Sequence, residues 1–528
     1  MERSCRILNW LLPLAALLLL PSLLTAQEAP AVTDVAAVVA AVEEAAPVAA
    51  PVVVAPTAWN QSVDTGSTAW LLVSAALVLL MVPGLALFYG GMARAKNVLN
   101  TFLLVMVCCG VIGLHWVIIG YAMVFPVITE DTALISIGEN TYGEGESATK
   151  AIVSILGFDS NLVGFRSFSS PDPTSPQYFG RPITSGDTVG AVSTGVPELA
   201  FAMFQGMFAI LTPALIIGSV VERVRFGPLL IFLLIWSTIV YAPVAHMVWN
   251  VNGYFFQKGV LDFAGGTVVH VLAGVSALAL TLVIGPRIGF GKQGFRPHSL
   301  GLTLIGAGLL WFGWFGFNAG SAIAIGGSEH PIAGGVAVLA FTNTQIAAAA
   351  AATAWMLIEW IFTGKPTILG FASGMVAGLV VITPCAGHVL PWHSIIIGVI
   401  GGVVCFGGCR IKNIIKVDDS LDAFGVHGVG GALGALLVGV FAIRPVLGGS
   451  EQFFKQLTAV AICAVFAFVV SYVVALVIAK TIGFRVKESE EVDGLDIAVH
   501  GEEGYTFSDT FAPTSESSSS GKPSMAHA

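Results

Sequence analysis

FAGGTVVHVLAGVSAL, residues 263–278, is apolar and glycine-rich, yet it carries a histidine, His270, at its middle. A polar ring inside hydrocarbon is costly, so such a residue calls for a functional explanation. The pattern returns in FGVHGVGGALGALLVGVF, residues 424–441, around His427, and each segment has an aspartate upstream, Asp262 and Asp422. Both runs sit in apolar segments, beginning near Ala264 and Ala423, of roughly 18–28 residues, enough to cross a bilayer as helices, and that reading decides the fold class.

Composition agrees. Of 528 residues, 55% are hydrophobic and only 10% charged, where soluble domains carry about 25% charge. The chain is expected to be an all-α polytopic membrane protein. Its net charge of −9 sits largely in one long loop and the C-terminal tail and says little about partners; no nucleic-acid partner is expected. Seven cysteines are scattered through apolar runs. Cys405 and Cys409 lie one helical turn apart, a packing arrangement, and no Cys/His metal set or cofactor motif stands out.

Apolar segments begin near Ala69, Asn100, Val196, Gly227, Ala264, Leu300, Ile332, Pro366, Trp392, Ala423 and Lys455, eleven transmembrane helices in all. With the N-terminus outside, fifteen Lys and Arg fall in internal segments and six in external ones. Cations concentrate on the cytoplasmic side, so the expected topology is N-out, C-in. The two Asp-then-His segments open spans five and ten, which run in opposite directions. That suggests an inverted repeat of spans 1–5 and 6–10 plus a final helix. Ahead of the spans, Arg3, Arg6, a short leucine core and Leu24-Thr25-Ala26 make residues 1–26 a signal peptide. Residues 27–68 follow as an Ala/Val/Pro-rich periplasmic segment.

Seven motifs carry a resemblance: VPGLALFYGGMARAKNVLN (82–100), AFAMFQGMFAI (200–210), ERVRFG (222–227), APVAHMVW (242–249), LDFAGGTVVH (261–270), GWFGFNAGSA (313–322) and VDDSLDAFGVHGVGG (417–431). Together, in this order, they resemble the ammonium transporter family of the Amt/MEP type, over residues 69–483. The resemblance implies transport of ammonium or ammonia, without enzymatic activity or cofactor, by a homotrimer with one pore per subunit in the inner membrane. Trp249 and Ser321 would recruit ammonium at an external site, and Phe204 and Phe317 would stack as the gate below it. His270 and His427 would face each other in an apolar pore, a contact that comes from the family and not from spacing.

Asp262 and Asp422 are expected to support these helices as caps at their first turns. His246 should brace the end of span four, and His115 in span two should face a helix neighbour. An external insert, about 129–195, is net acidic and longer than the compact family loop. The tail, 484–528, resembles the family's regulatory C-terminus, which in bacterial members helps a PII-type signalling protein dock; its end, 508–528, reads as disordered.

Three other functions compete. An Rh-type neutral gas channel is disfavoured by Trp249 and Ser321. A bis-histidine haem or metal enzyme would need a second ligand pair. A sensor built on the same fold would have to signal through the tail, because no output domain is attached.

Overall fold

The computed structural model describes residues 64–142, 149–168, 182–185, 192–292, 294–324, 332–443 and 447–505. The expected signal peptide, nearly all of segment 27–68 and the serine-rich end lie outside the described residues.

Ten helices among the described residues are long and apolar enough to cross a membrane. They are α1 (Thr65–Met92), α2 (Ala95–Val124), α3 (Glu198–Ile217), α4 (Phe226–Trp249), α5 (Gly266–Ile284), α6 (Leu300–Gly320), α7 (Ile332–Thr363), α9 (Pro391–Ile415), α10 (Phe424–Phe441) and α11 (Ser450–Thr481). Between α7 and α9 lies α8 (Ile368–Ile382), with 15 residues. A helix that short spans roughly 22 Å, less than the hydrocarbon core of about 30 Å. Pro384 follows two residues after Ile382; it lacks a backbone N–H and cannot continue the helix. The chain continues as buried turns to Val389, which a membrane tolerates only inside protein.

Local chemistry sets several starts. Asp64, Ser299 and Thr367 cap α1, α6 and α8 by accepting from Ser67 N at 2.8 Å, Leu302 N at 3.3 Å and Gly370 N at 2.9 Å. α1 packs along α6 and α5 against α10, the pairs an inverted repeat brings together. α11 lies outside that pairing and packs on both α5 and α10.

The insert departs from the all-α pattern. Ala133–Tyr142 (β1) and Thr149–Gly157 (β2) form an antiparallel hairpin, and Pro182–Ser185 (β3) pairs with Val192–Pro197 (β4). Ser154 in β2 donates its N–H to Asn252 O at 2.9 Å, and its hydroxyl meets His246 Nε2 at 2.7 Å. His246 Nδ1 reaches Val124 O at 2.8 Å, so this ring braces α2, α4 and the hairpin together. His115 Nε2 meets Thr238 Oγ1 at 2.8 Å, on the neighbouring α4.

At the face that carries most of the cations, the loops are joined by ion pairs. Buried Glu222 accepts from Arg94 N at 2.7 Å and Nε at 2.9 Å, and from Arg287 Nη1 at 3.2 Å. Asp418 takes Arg287 Nε at 2.9 Å and Nη2 at 2.8 Å, while Arg223 donates to the carbonyls of Gly285 and Asp418. The tail continues this network. Its short helix α12 (Glu488–Asp493) places Glu491 against Arg485 at 2.8 Å. Asp496 accepts from Leu99 N at 3.1 Å and Asn100 N at 2.8 Å, capping α2 from a different part of the chain.

Burial pushes the Asp418 carboxyl up, but hydrogen bonds from Arg287 and the charges of Arg223 and Arg287 outweigh it and hold the group below its ordinary value. A lowered carboxyl stabilises the fold above the unfolded value of about 3.9, and that contribution disappears as pH falls through the lower folded value. Asp418→Asn should therefore lower thermal stability at neutral pH, by on the order of 1–3 kcal/mol. The gap to wild type should shrink in acid below about pH 4. Melting curves of the detergent-solubilised protein across pH check this; an equal gap at both ends would contradict it.

Candidate functional site

The site is a column of side chains inside the bundle. Trp249, the last residue of α4, donates Nε1–H to Asp262 O at 3.1 Å. Ser321 follows α6 directly and donates its hydroxyl to Phe317 O, one turn back, at 2.8 Å. Both lie at the end of the bundle opposite the cation-rich loops.

The rings below differ from expectation. The side chain facing Phe317 is Phe208, with centroids 4.3 Å apart and planes at 31°. Phe204 meets Phe208 edge-on at 5.0 Å, so it is a neighbour of the pair and not its member. Phe204 and Phe208 are four residues apart on α3 and share one face; the Phe204 ring lies against Gly320 at the end of α6, and the deeper Phe208 ring against Phe317. Trp249 also stands edge-on to Phe208 at 5.8 Å. Phe208 lies in the same motif, MFQGMF (203–208), one turn after the expected Phe204.

Below Phe317 the histidines meet. His270 Nδ1 and His427 Nδ1 are 3.2 Å apart, with the rings nearly parallel at 16°. The Trp314 indole stacks with His270 at 5.4 Å and 15°. Two Nδ1 atoms at this distance need one protonated and one bare nitrogen. One ring then offers Nε2–H and the other an Nε2 lone pair. His270 Nε2 is buried with no hydrogen-bond partner in the protein. Beyond the pair a narrow cavity is walled by Met81, Leu85, Phe88, Leu211, Leu215, Leu310 and Val376.

Both histidines sit in short π-helical turns, Gly266–Val271 in α5 and Phe424–Gly428 in α10. Such wide turns accompany functional positions in helices. Each is capped by an aspartate. Asp262 Oδ2 accepts from Thr267 N and Val268 N, both at 3.1 Å. Burial lifts the Asp262 carboxyl to about 6 against these N–H bonds.

In α10 the cap is Asp419, not Asp422. Its two oxygens take Ala423 N at 3.1 Å and Phe424 N at 2.8 Å. Asp422 adopts φ +61° and pairs with Lys412 Nζ at 2.7 Å. The left-handed backbone turns Asp422 away from the helix start. With Asp419 the repeat becomes regular, for each capping aspartate stands eight residues before its histidine, 262 to 270 and 419 to 427.

Glycine permits the contact. A Cβ on Gly274 of α5 would lie 2.1 Å from Gly428 N and 2.3 Å from its Cα in α10. That is a clash with backbone, which no side-chain rotation relieves.

A bundle of apolar helices around a buried aromatic and histidine column defines a multi-pass membrane protein. Residues 69–505 match the Ammonium Transporter Family, and the chain belongs to it. The ammonium transporter of Bacillus subtilis is 42% identical over 452 residues, covering 83% of this chain and 98% of its own. Among solved structures, Saccharomyces cerevisiae Mep2 aligns with a TM-score of 0.66 at 29% identity, over 86% of this chain and 94% of that one. A protein described as "Sensor Amt Protein" aligns with a TM-score of 0.67 at 26% identity, over 82% and 98%.

Gly274→Ala should force α5 and α10 apart, costing about 1–3 kcal/mol or more, and reduce both melting temperature and transport. Gly110→Ala, where a Cβ meets nothing within 4 Å, is the control and should leave both unchanged. Thermal unfolding with uptake assays on the two variants decides it.

Proposed function

We propose that this chain carries ammonium across the membrane by capturing the ion at Trp249 and Ser321, passing it between the Phe208 and Phe317 rings, and transferring one proton from it to the bare imidazole nitrogen of the His270–His427 pair. Ammonia then moves past the His270–His427 pair and along the apolar cavity. The observation that carries the reading is the column itself: a buried aromatic pair separates the tryptophan and hydroxyl from two imidazoles in Nδ1 contact.

The chemistry suits a small cation. Dehydrating an ion is expensive, and an aromatic face returns about 0.5–2 kcal/mol by cation–π attraction. Ser321 adds an acceptor: its proton is committed to Phe317 O, so a lone pair remains for an N–H. Weak capture of this kind allows release, which a conduit requires. Below the rings a dry path penalises charge, and the histidines offer one donor and one acceptor to a neutral polar solute.

The cation-rich loops and tail are read as cytoplasmic and the Trp249 mouth as external, supported by the fifteen-to-six distribution of Lys and Arg. The same reading takes residues 1–26 as a signal peptide, the inner membrane as the location, a homotrimer as the assembly and a PII-type protein as a partner at the cytoplasmic face. A second reading, ammonium sensing on the same fold, is supported by the likeness to the "Sensor Amt Protein".

Ammonium jumps on proteoliposomes, with sodium and potassium jumps as controls, test the proposal. A current or an internal pH change for ammonium alone is expected. Trp249→Leu should raise the half-saturating concentration about tenfold, the equivalent of 1.4 kcal/mol. Phe208→Ala should alter the response more than Phe204→Ala. Ammonium binding with neither current nor pH change would favour the sensor.

A further inference from the structure

α11 stands outside the repeat, yet it sends two buried glutamines onto the backbone ahead of α5. Gln456 Oε1 accepts from Leu261 N at 2.8 Å, and its Nε2 donates back to Leu261 O at 2.6 Å. The same Nε2 donates to Ala435 O at 3.0 Å, on α10 two turns beyond His427. One turn earlier, Gln452 Nε2 donates to Gly259 O at 2.9 Å.

We infer that Gln456 is a positioning residue for ammonium capture, acting through Asp262 on the Trp249 indole. This assignment rests on the transport reading above.

The segment before α5 is buried and non-helical, so its peptide groups need partners from elsewhere. A primary amide presents a donor and an acceptor side by side and matches both edges of one residue's backbone. Gln456 therefore holds Leu261 as a paired strand would. The next residue is Asp262. Its carbonyl holds the Trp249 indole and its carboxylate caps the turn bearing His270. A shift of residue 261 moves the anchor of the capturing ring and the start of the histidine helix together. The bond to Ala435 extends the same clasp to the helix that carries His427. One amide on α11 thus references the two histidine helices and the mouth to each other.

A packing role alone would lower stability without changing how ammonium is recognised. The test is ammonium and methylammonium transport in proteoliposomes of the full chain, with four proteins: wild type, Gln456→Leu, Trp249→Leu and the double variant. Melting temperatures are measured alongside. In the wild-type background Gln456→Leu should raise half-saturating ammonium about three- to tenfold and change the ammonium-to-methylammonium ratio, with maximal rate kept within about twofold. In the Trp249→Leu background the same substitution should change half-saturation less than about 1.5-fold, because coupled residues are non-additive. Should Gln456→Leu fail to fold, Gln456→Glu keeps the acceptor to Leu261 N and loses both donors, and should show the same coupling.

Equal effects in the two backgrounds would overturn the assignment. So would a lower melting temperature with unchanged half-saturation. A silent wild type would instead overturn the transport reading and this assignment with it.

Discussion

The structure depends on one close approach: α5 and α10 cross with Gly274 against the backbone of Gly428. Only there can two imidazoles carried on different helices come within 3.2 Å at Nδ1. Ordinary helix pairs stand 8–10 Å apart, roughly, with side chains between them. Removing the side chain at the crossing lets the rings, not the spacers, fill the gap. The apolar cavity below, the ring pair above and the Trp314 face beside His270 all take their positions from this crossing.

Close approach leaves the helix starts exposed as buried, non-helical backbone, and the protein answers with polar side chains from several elements. Asp262 and Asp419 cap the two histidine helices in matching register, Gln456 holds the peptide before the first, and Asn343 holds the carbonyls of Ala386 and Val389 beyond α8. At the cation-rich face Arg223, Arg287, Glu222 and Asp418 do the same for the loops, and the tail joins through Asp496. Buried polar groups of this kind are costly unless partnered. They occur here where α-helix cannot continue, and they fix the geometry of the path.

Much of this was legible in the sequence. Hydropathy located the spans to within a few residues, and the Asp-then-His pattern pointed to the fifth helix of each repeat. What escaped had physical reasons. Phe204 and Phe208 occupy the same helical face and both pack on α6, so only the placement of Phe317 selects Phe208. Asp419 and Asp422 are both close to the helix start, and the left-handed turn at Asp422 decides which one caps it. Equal spacing from the histidines was a usable signal for Asp419. Gln456 carries no motif at all; its importance comes from a contact 195 positions away in the chain. Pro384 marks the end of α8, a signal the sequence reading did not use, and nothing in the sequence said that the turns after it would be buried.

The most direct test of the account is the state of the nitrogens between the two rings. Protein with ¹⁵N-labelled histidines, in bilayers at neutral pH, would be examined by solid-state NMR for coupling across an N–H···N hydrogen bond. The account predicts one protonated and one bare Nδ1 coupled to each other, with the pair lost in His270→Ala. Two Nδ1 atoms of the same protonation state, with no coupling between them, would contradict it.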